Sequence, residues 1–472
     1  MKKAMPARLA SVLLALAMLL TTQAFAAGSG DAGAGLEAET WQSGTAVYIP
    51  VRAVCEALGY TVTWKDDGTA QTVTVAGNGK DIVLDLTNEK VTDGKHSFYV
   101  GGDLSGNTTA GPILIHGSRT FIETGLFTEL FGLRADYIAA TGLAEIGAAC
   151  VNSITIATQT VSTQTDTLKT TLQYPVISGL EDTAVQDAVN EVFRKAADDA
   201  QKEGIDNAAA LEPVREEYPD FQNTCETYFN YRVKYNRCGL LSVTLDDYQY
   251  AGGAHGSTLR TSYTFDLRTG EQLSLGDLMA EGSGYFSAIS KTVRSEIDRR
   301  VQAGLLYELE PFQTISDSQD YYLSNSGLTV YFQQYAYFPY AAGIQEFTVG
   351  YGELADMLKP DYGFLYNAVT ALTSGENNTV TAGSVCSVTL EGNPTTGYGW
   401  YVSVNDPEVL WPCSESYAQD ESSGEIVGAG GTYTWCFKAL KPGKTTLTFR
   451  YYRSWEGEDS AIRTAEYTVT VE

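Results

Sequence analysis

The chain is poor in the residue types that carry chemistry. Its 472 residues hold three histidines, His96, His116 and His255, and no Cys-x-x-Cys pair. The spaced thiolate and imidazole sets that bind zinc are therefore missing, and no metal or cofactor is expected. There is no Gly-x-Ser-x-Gly elbow, no His-Glu-x-x-His and no phosphate-binding loop of the Walker type, so the usual sequence grounds for a hydrolase or a nucleotide-binding enzyme are absent. Basic residues are few as well, 31 Lys and Arg against 58 Asp and Glu. The resulting formal charge of −27 repels phosphate backbones and anionic membrane surfaces, which speaks against a nucleic-acid partner and favours a basic one. No apolar run reaches the roughly 20 residues that a membrane-spanning helix needs.

What is present starts with an export pattern. Lys2, Lys3 and Arg8 precede the apolar run Leu9 to Leu20, and Ala24-Phe25-Ala26 offers a small-x-small cleavage site. Residues 1–26 read as a secretory signal, and the mature chain is expected to be secreted or held at the cell surface with no membrane span. Losing three cations takes the formal charge from −27 to about −30. The seven cysteines (Cys55, Cys150, Cys225, Cys238, Cys386, Cys413 and Cys436) then meet a compartment that permits disulfides. Their odd number leaves at least one unpaired. Cys225 with Cys238, and two among Cys386, Cys413 and Cys436, are the candidate bridges, and the connectivity stays open.

Length and a 43% apolar content imply a folded chain of several domains. After a linker over 27–40, a first unit over 41–138 carries an imperfect repeat. VYIPVRAVCEALGYTVTW from Val47 and TFIETGLFTELFGLRADY from Thr120 each read as strand, helix, Gly and strand, a small α/β repeat domain. The phrase Ile49 to Tyr60, with its Pro-x-Arg and Leu-Gly, resembles the copper amine oxidase N-terminal domain, a stalk-like module. The second copy departs from it, with Glu123-Thr124 where Pro is expected. The resemblance implies no copper: His96 and His116 lack ligand spacing and read as packing or surface residues.

A linker over 139–165 leads into a second unit over 166–360. It has Tyr-rich strands and two amphipathic helices, one with Val185, Ala188, Val189, Val192, Phe193 and Ala196 on a face, the other with Phe286, Ile289, Val293, Ile297 and Val301. This is an α+β order. The phrases YAGGAHG at Tyr250 to Gly256, FDLRTG at Phe265 to Gly270 and YFPYAAG at Tyr337 to Gly343 resemble the extracellular domain of lysozyme-sensing anti-sigma factors. That resemblance implies a binding role, with lysozyme or another basic extracellular protein as the ligand. His255 reads as a turn residue, because no nucleophile and orienting carboxylate accompany it.

After a linker over 361–378, the stretch 379–472 alternates apolar and polar residues in short segments. Cys386, Val388 and Leu390; Tyr398, Trp400, Val402 and Val404; Tyr433, Trp435 and Phe437; Leu447, Phe449 and Tyr451; and Tyr467, Val469 and Val471 each put one strand face into a core. A β-sandwich is expected, with distant loops gathered at one end. Three loops stand out: Asn393-Pro394-Thr395-Thr396-Gly397, Gly428 to Gly431 with Gly430 between, and Arg453-Ser454-Trp455. In this order and spacing they resemble the chagasin family of cysteine-protease inhibitors, which implies an immunoglobulin-like fold and papain-like cysteine proteases as partners.

By that resemblance Asn393 to Gly397 would plug the protease cleft over its nucleophilic thiolate, with Pro394 restricting the loop. Gly428, Gly430 and Gly431 would allow backbone to approach backbone, and Arg453 and Trp455 would clamp the other side. Ser454 stands where the family has Pro, and the third loop should be less constrained for it. The leading expectation is a secreted, non-enzymatic protease inhibitor. The alternative is a cell-surface or secreted receptor or adhesion protein that binds its ligand through the middle unit.

Overall fold

The protein was analysed as a computed structural model describing residues 36–43, 46–100, 112–148, 150–218, 220–221, 223–419 and 430–472. Residues 1–26, read above as a secretory signal, and Gly428 lie outside them. The described residues pack as one unit. The fold is multidomain and mostly β, and among the described residues no helix is long and apolar enough to cross a membrane.

In the N-terminal region the two similar phrases form the same local structure. Strand Ala46–Pro50 runs into helix Val51–Ala57, and strand Arg119–Glu123 into helix Thr124–Phe131. The two strands pair antiparallel, Ile49 opposite Ile122. Gly132 ends the second helix in the left-handed region at φ +68°, a conformation that costs a Cβ-bearing residue more. A five-stranded meander from Thr61–Asp66 to His96–Tyr99 covers the shared core of Ile49, Val54, Val75, Ile82, Leu126 and Phe127.

The middle region is built on a five-stranded sheet of Thr155–Gln164, Leu168–Ser178, Cys225–Arg237, Leu240–Tyr250 and Ser257–Asp266. Leu143–Ala148 and Thr155–Gln164, both inside the stretch read as a linker, are paired strands. Helix Thr183–Glu217 lies on the sheet. It is capped by Asp182, whose Oδ1 accepts from the Ala184 and Val185 amides at 2.9 and 3.3 Å, satisfying donors that a helix start leaves free. Its buried stripe runs Val189, Phe193, Ala197, Ala200, Gly204 and Ala208, while Ala188 faces solvent. Helix Tyr285–Gln302 buries Ile289, Val293 and Ile297, and Val301 is exposed where the helix runs out over solvent.

The C-terminal region has two four-stranded sheets. One contains Val385–Gly392, Gly431–Ala439 and Leu410–Gln419; the other contains Arg463–Val471, Gly443–Tyr452 and Gly399–Val404. Cys386, Val388, Trp400, Trp435, Phe437, Phe449, Tyr467 and Val469 fill the core they share, following the alternation in the sequence.

The sulfur pairing differs from the expected bridges. Cys150 is bonded to Cys436, 286 residues away, whereas Cys225 and Cys238 are both unbonded. These two flank the strand Cys225–Arg237 at opposite ends. At about 3.3 Å per residue they stand tens of ångströms apart, far beyond the reach of a disulfide.

Candidate functional site

The first and third loops singled out in the sequence meet at one end of the C-terminal sheets. Asn393 leaves strand Val385–Gly392 and its side chain shapes the turn that follows. Its Oδ1 accepts from the Thr395 amide at 3.1 Å and from Thr395 Oγ1 at 2.6 Å, while Thr396 Oγ1 donates to the Asn393 carbonyl at 2.6 Å. Such local bonds are the reason Asn favours turns. Pro394–Thr396 form a single 3-10 turn, and Gly397 closes it at φ +82°. The loop is braced from below by Tyr451, whose hydroxyl oxygen accepts from the Asn393 amide at 2.8 Å.

The third loop lies against the first. Arg453 Nη2 donates to the Thr396 carbonyl at 3.4 Å, and its guanidinium sits 4.5 Å from the Tyr398 ring centroid, a cation–π contact. The Trp455 indole lies over Gly397, where an added Cβ would stand 2.5 Å from Trp455 Cη2. Trp455 is nonetheless 69% exposed, an unusual state for so large an apolar surface. Ser454 is exposed in a turn closed by the Glu456 amide, which donates to the Arg453 carbonyl at 2.9 Å. That bond needs no proline.

The described part of the second loop reaches the same end. Gly431 pairs with Gly392, the residue before Asn393, and with Gln419 across the sheet. A Cβ at Gly431 would meet the Ala418 carbonyl at 2.3 Å, so the strand can close only around glycine there. Tyr398 and Tyr451, counted in the sequence only as core positions, emerge as the supports of the first and third loops. Their signal in the sequence is the same alternation that marks any core residue, so their loop-bracing role was not separable from packing.

The histidines are packing and turn residues. His96 stacks on Tyr231 at 4.1 Å, and its Nε2 contacts Asn230 Oδ1 at 3.2 Å; burial lowers its pKa, against a smaller upward pull from that hydrogen bond. His116 stacks on Trp41 at 5.0 Å, and His255 on Tyr340 at 4.1 Å. Among the described residues no group of three or more His, Cys, Asp and Glu is placed to hold a metal ion. A 270 Å³ cavity lies instead between the N-terminal and middle regions, lined in part by His96, Glu129, Lys234 and Arg237.

Comparison with known proteins matches four stretches of the chain to families. Residues 36–146 match the copper amine oxidase N-terminal domain, 161–258 the deacetylase PdaC family and 276–352 a family of unknown function; residues 379–471 match the chagasin family of peptidase inhibitors. Amoebiasin-1 of Entamoeba histolytica is 34% identical over 88 residues, which are 18% of this chain and 83% of that protein. Through its C-terminal domain the chain belongs to the chagasin family. The chagasin-family domain is joined here to a region similar to two Bacillus subtilis proteins. The anti-sigma-V factor RsiV is 22% identical over 241 residues, covering 49% of this chain and 80% of RsiV. The peptidoglycan-N-acetylmuramic acid deacetylase PdaC is 23% identical over 205 residues, covering 42% of this chain and 40% of PdaC. The chain thus spans well under half of PdaC.

Proposed function

We propose that the protein is a secreted or cell-surface inhibitor of papain-like cysteine proteases, and that it acts without catalysis. The two C-terminal sheets are read as an immunoglobulin-like sandwich that presents three loops as a wedge, and the N-terminal repeat as an α/β anchoring or positioning module. Asn393 to Gly397 enter the cleft over the protease thiolate, Gly428 to Gly431 run along one wall, and Arg453 with Trp455 grip the other. An inhibitor of this kind needs shape and rigidity rather than acids, bases or metals, because it only has to fill the cleft without offering a scissile bond in register. The observation that carries the reading is the contact of Trp455 with Gly397, which joins two loops into one edge with a large apolar side chain left at its tip. Trp at the centre of an interface is the residue type most often decisive for affinity.

The test is titration of the full chain into papain while following peptide hydrolysis. Reversible inhibition is expected, weakened at least about tenfold by Trp455→Ala and by Thr396→Ala, with unchanged circular dichroism. Equal inhibition by both variants would remove the wedge. A second reading rests on the similarity to RsiV over 49% of the chain, together with the acidic balance. In it the middle region binds a basic extracellular protein such as lysozyme. Binding to the middle region would survive both substitutions and fall as salt rises.

A further inference from the structure

Four of the seven cysteines converge where the middle region meets the chagasin-family domain. Cys150 and Cys238 stand on the middle side, where the Cys238 amide donates to the Cys150 carbonyl at 3.0 Å. Cys413 and Cys436 stand on neighbouring strands of the C-terminal domain, where Cys413 Sγ donates to the Cys436 carbonyl at 3.3 Å. Cys150 is bonded to Cys436 across the boundary. The other two, Cys238 and Cys413, lie on either side of this bond, Cys238 with its thiol directed at the Cys150 carbonyl and Cys413 with its thiol on the Cys436 carbonyl, and the two thiols interact electrostatically across the boundary. All four side chains are buried in one core cluster.

Each member of the unbonded pair sits at a backbone irregularity. Cys238 and Gly239 are the two residues between the paired strands Cys225–Arg237 and Leu240–Tyr250, both in the left-handed region at φ +53° and +84°. A hairpin turn of that shape favours Asn, Asp or Gly at its first position, and a cysteine there is strained relative to those residues. Cys413 occupies a register shift between Pro412 and Ser414 in strand Leu410–Gln419. Bulges of this kind re-aim a side chain. Around the pair the boundary is tight: a Cβ at Gly239 would stand 2.6 Å from Trp411 Cζ3, and the Glu415 amide donates to Ser153 Oγ at 2.7 Å.

We propose that Cys238 and Cys413 form a second disulfide beside Cys150–Cys436, so that the inhibitor domain is fixed to the middle region by two covalent bonds. The oxidant is a low-molecular-weight disulfide, met while the boundary is still assembling. One cysteine of the pair, as thiolate, attacks it, forming a mixed disulfide and releasing one small thiol. The partner thiolate then attacks the cysteine sulfur of that mixed disulfide, closing the bond and releasing the second small thiol. Two protons and two electrons leave the pair and reduce one small disulfide to two thiols. With both bonds present, reduction of either leaves the domains joined.

The full chain, refolded in oxidised and reduced glutathione, is denatured in acid, alkylated without reduction and mapped by mass spectrometry. The expected result is alkylation of Cys55, Cys225 and Cys386 only, with one peptide pair linked through Cys150–Cys436 and another through Cys238–Cys413. Alkylation of all five cysteines that stand unbonded in the structure would overturn the proposal. Linkage of Cys150 to Cys238 and of Cys413 to Cys436 would overturn it equally. As a second check, Cys238→Ser should make Cys413 newly reactive while the Cys150–Cys436 peptide persists. A Cys413 as reactive in the unsubstituted chain as in the variant also defeats the proposal.

Discussion

Trp455 covers Gly397 so closely that a methyl group on the glycine would stand 2.5 Å from the indole. The contact ties together two loops whose residues are 58 positions apart in sequence, and the same pair of loops is held by Arg453 on the Thr396 carbonyl. The first and third loops therefore form one preassembled edge.

Gly397→Ala acts twice. The left-handed φ of +82° costs a Cβ-bearing residue about 1–2 kcal/mol, and the new methyl pushes Trp455 away. Inhibition of papain should weaken about tenfold or more, while the melting temperature moves by only a few degrees. An unchanged inhibition constant would show that the Trp455 position is irrelevant to binding.

Tyr451→Phe removes the hydroxyl that accepts from the Asn393 amide at 2.8 Å and donates to the Asn393 carbonyl at 3.3 Å. The ring stays in the core beside Trp400, their centroids 5.0 Å apart. Thermal denaturation should register a loss of about 1 kcal/mol. The first loop, without its brace, should also exchange its amide hydrogens faster, and equal exchange at Thr395 and Thr396 would contradict the bracing role.

In the middle region, burial raises the Asp247 carboxyl from 3.8 to about 6, against a smaller lowering by the Gln249 side chain, which donates to it at 2.7 Å. The native state keeps this proton while the unfolded chain releases it near pH 4. The contribution to stability is therefore full below the unfolded pKa and declines as pH rises through the folded one. Asp247→Asn keeps an acceptor for Gln249 and has no proton to lose, so it should flatten that decline. Urea denaturation at pH 4 should differ little between the two proteins. At pH 7 the variant should be more stable by about 1–3 kcal/mol, and a variant less stable at pH 7 would reject the assignment.

Much of this architecture is written in local pattern. The apolar alternation from Cys386 to Val471 marked the C-terminal strands, because a strand's side chains point to opposite faces with period two. Helix Thr183–Glu217 was legible through Val189 and Phe193, but its buried stripe turned out to bypass Ala188 and continue through Ala197, Ala200 and Gly204. The deciding feature there is Thr227 on the facing strand, whose Oγ1 would be 1.9 Å from any Cβ at position 204. No helix periodicity contains that information. The strands at Leu143–Ala148 and Thr155–Gln164 were hidden for a similar reason. Their Ala- and Thr-rich residues look like a linker until partner strands supply the hydrogen bonds.

The sequence by itself determined the order of the regions, the acidic charge, and the three loop phrases that place the C-terminal domain in the chagasin family. These are properties of neighbouring residues, and local sterics and periodicity read them out directly. Only the tertiary structure decided which sulfurs meet, how Tyr398 and Tyr451 support the loops, and that Trp455 rests on Gly397. Cys150 and Cys436 are 286 residues apart. Their pairing depends on where the segment beside a hairpin turn of one region docks on a strand of another, a long-range packing outcome that no spacing between cysteines encodes.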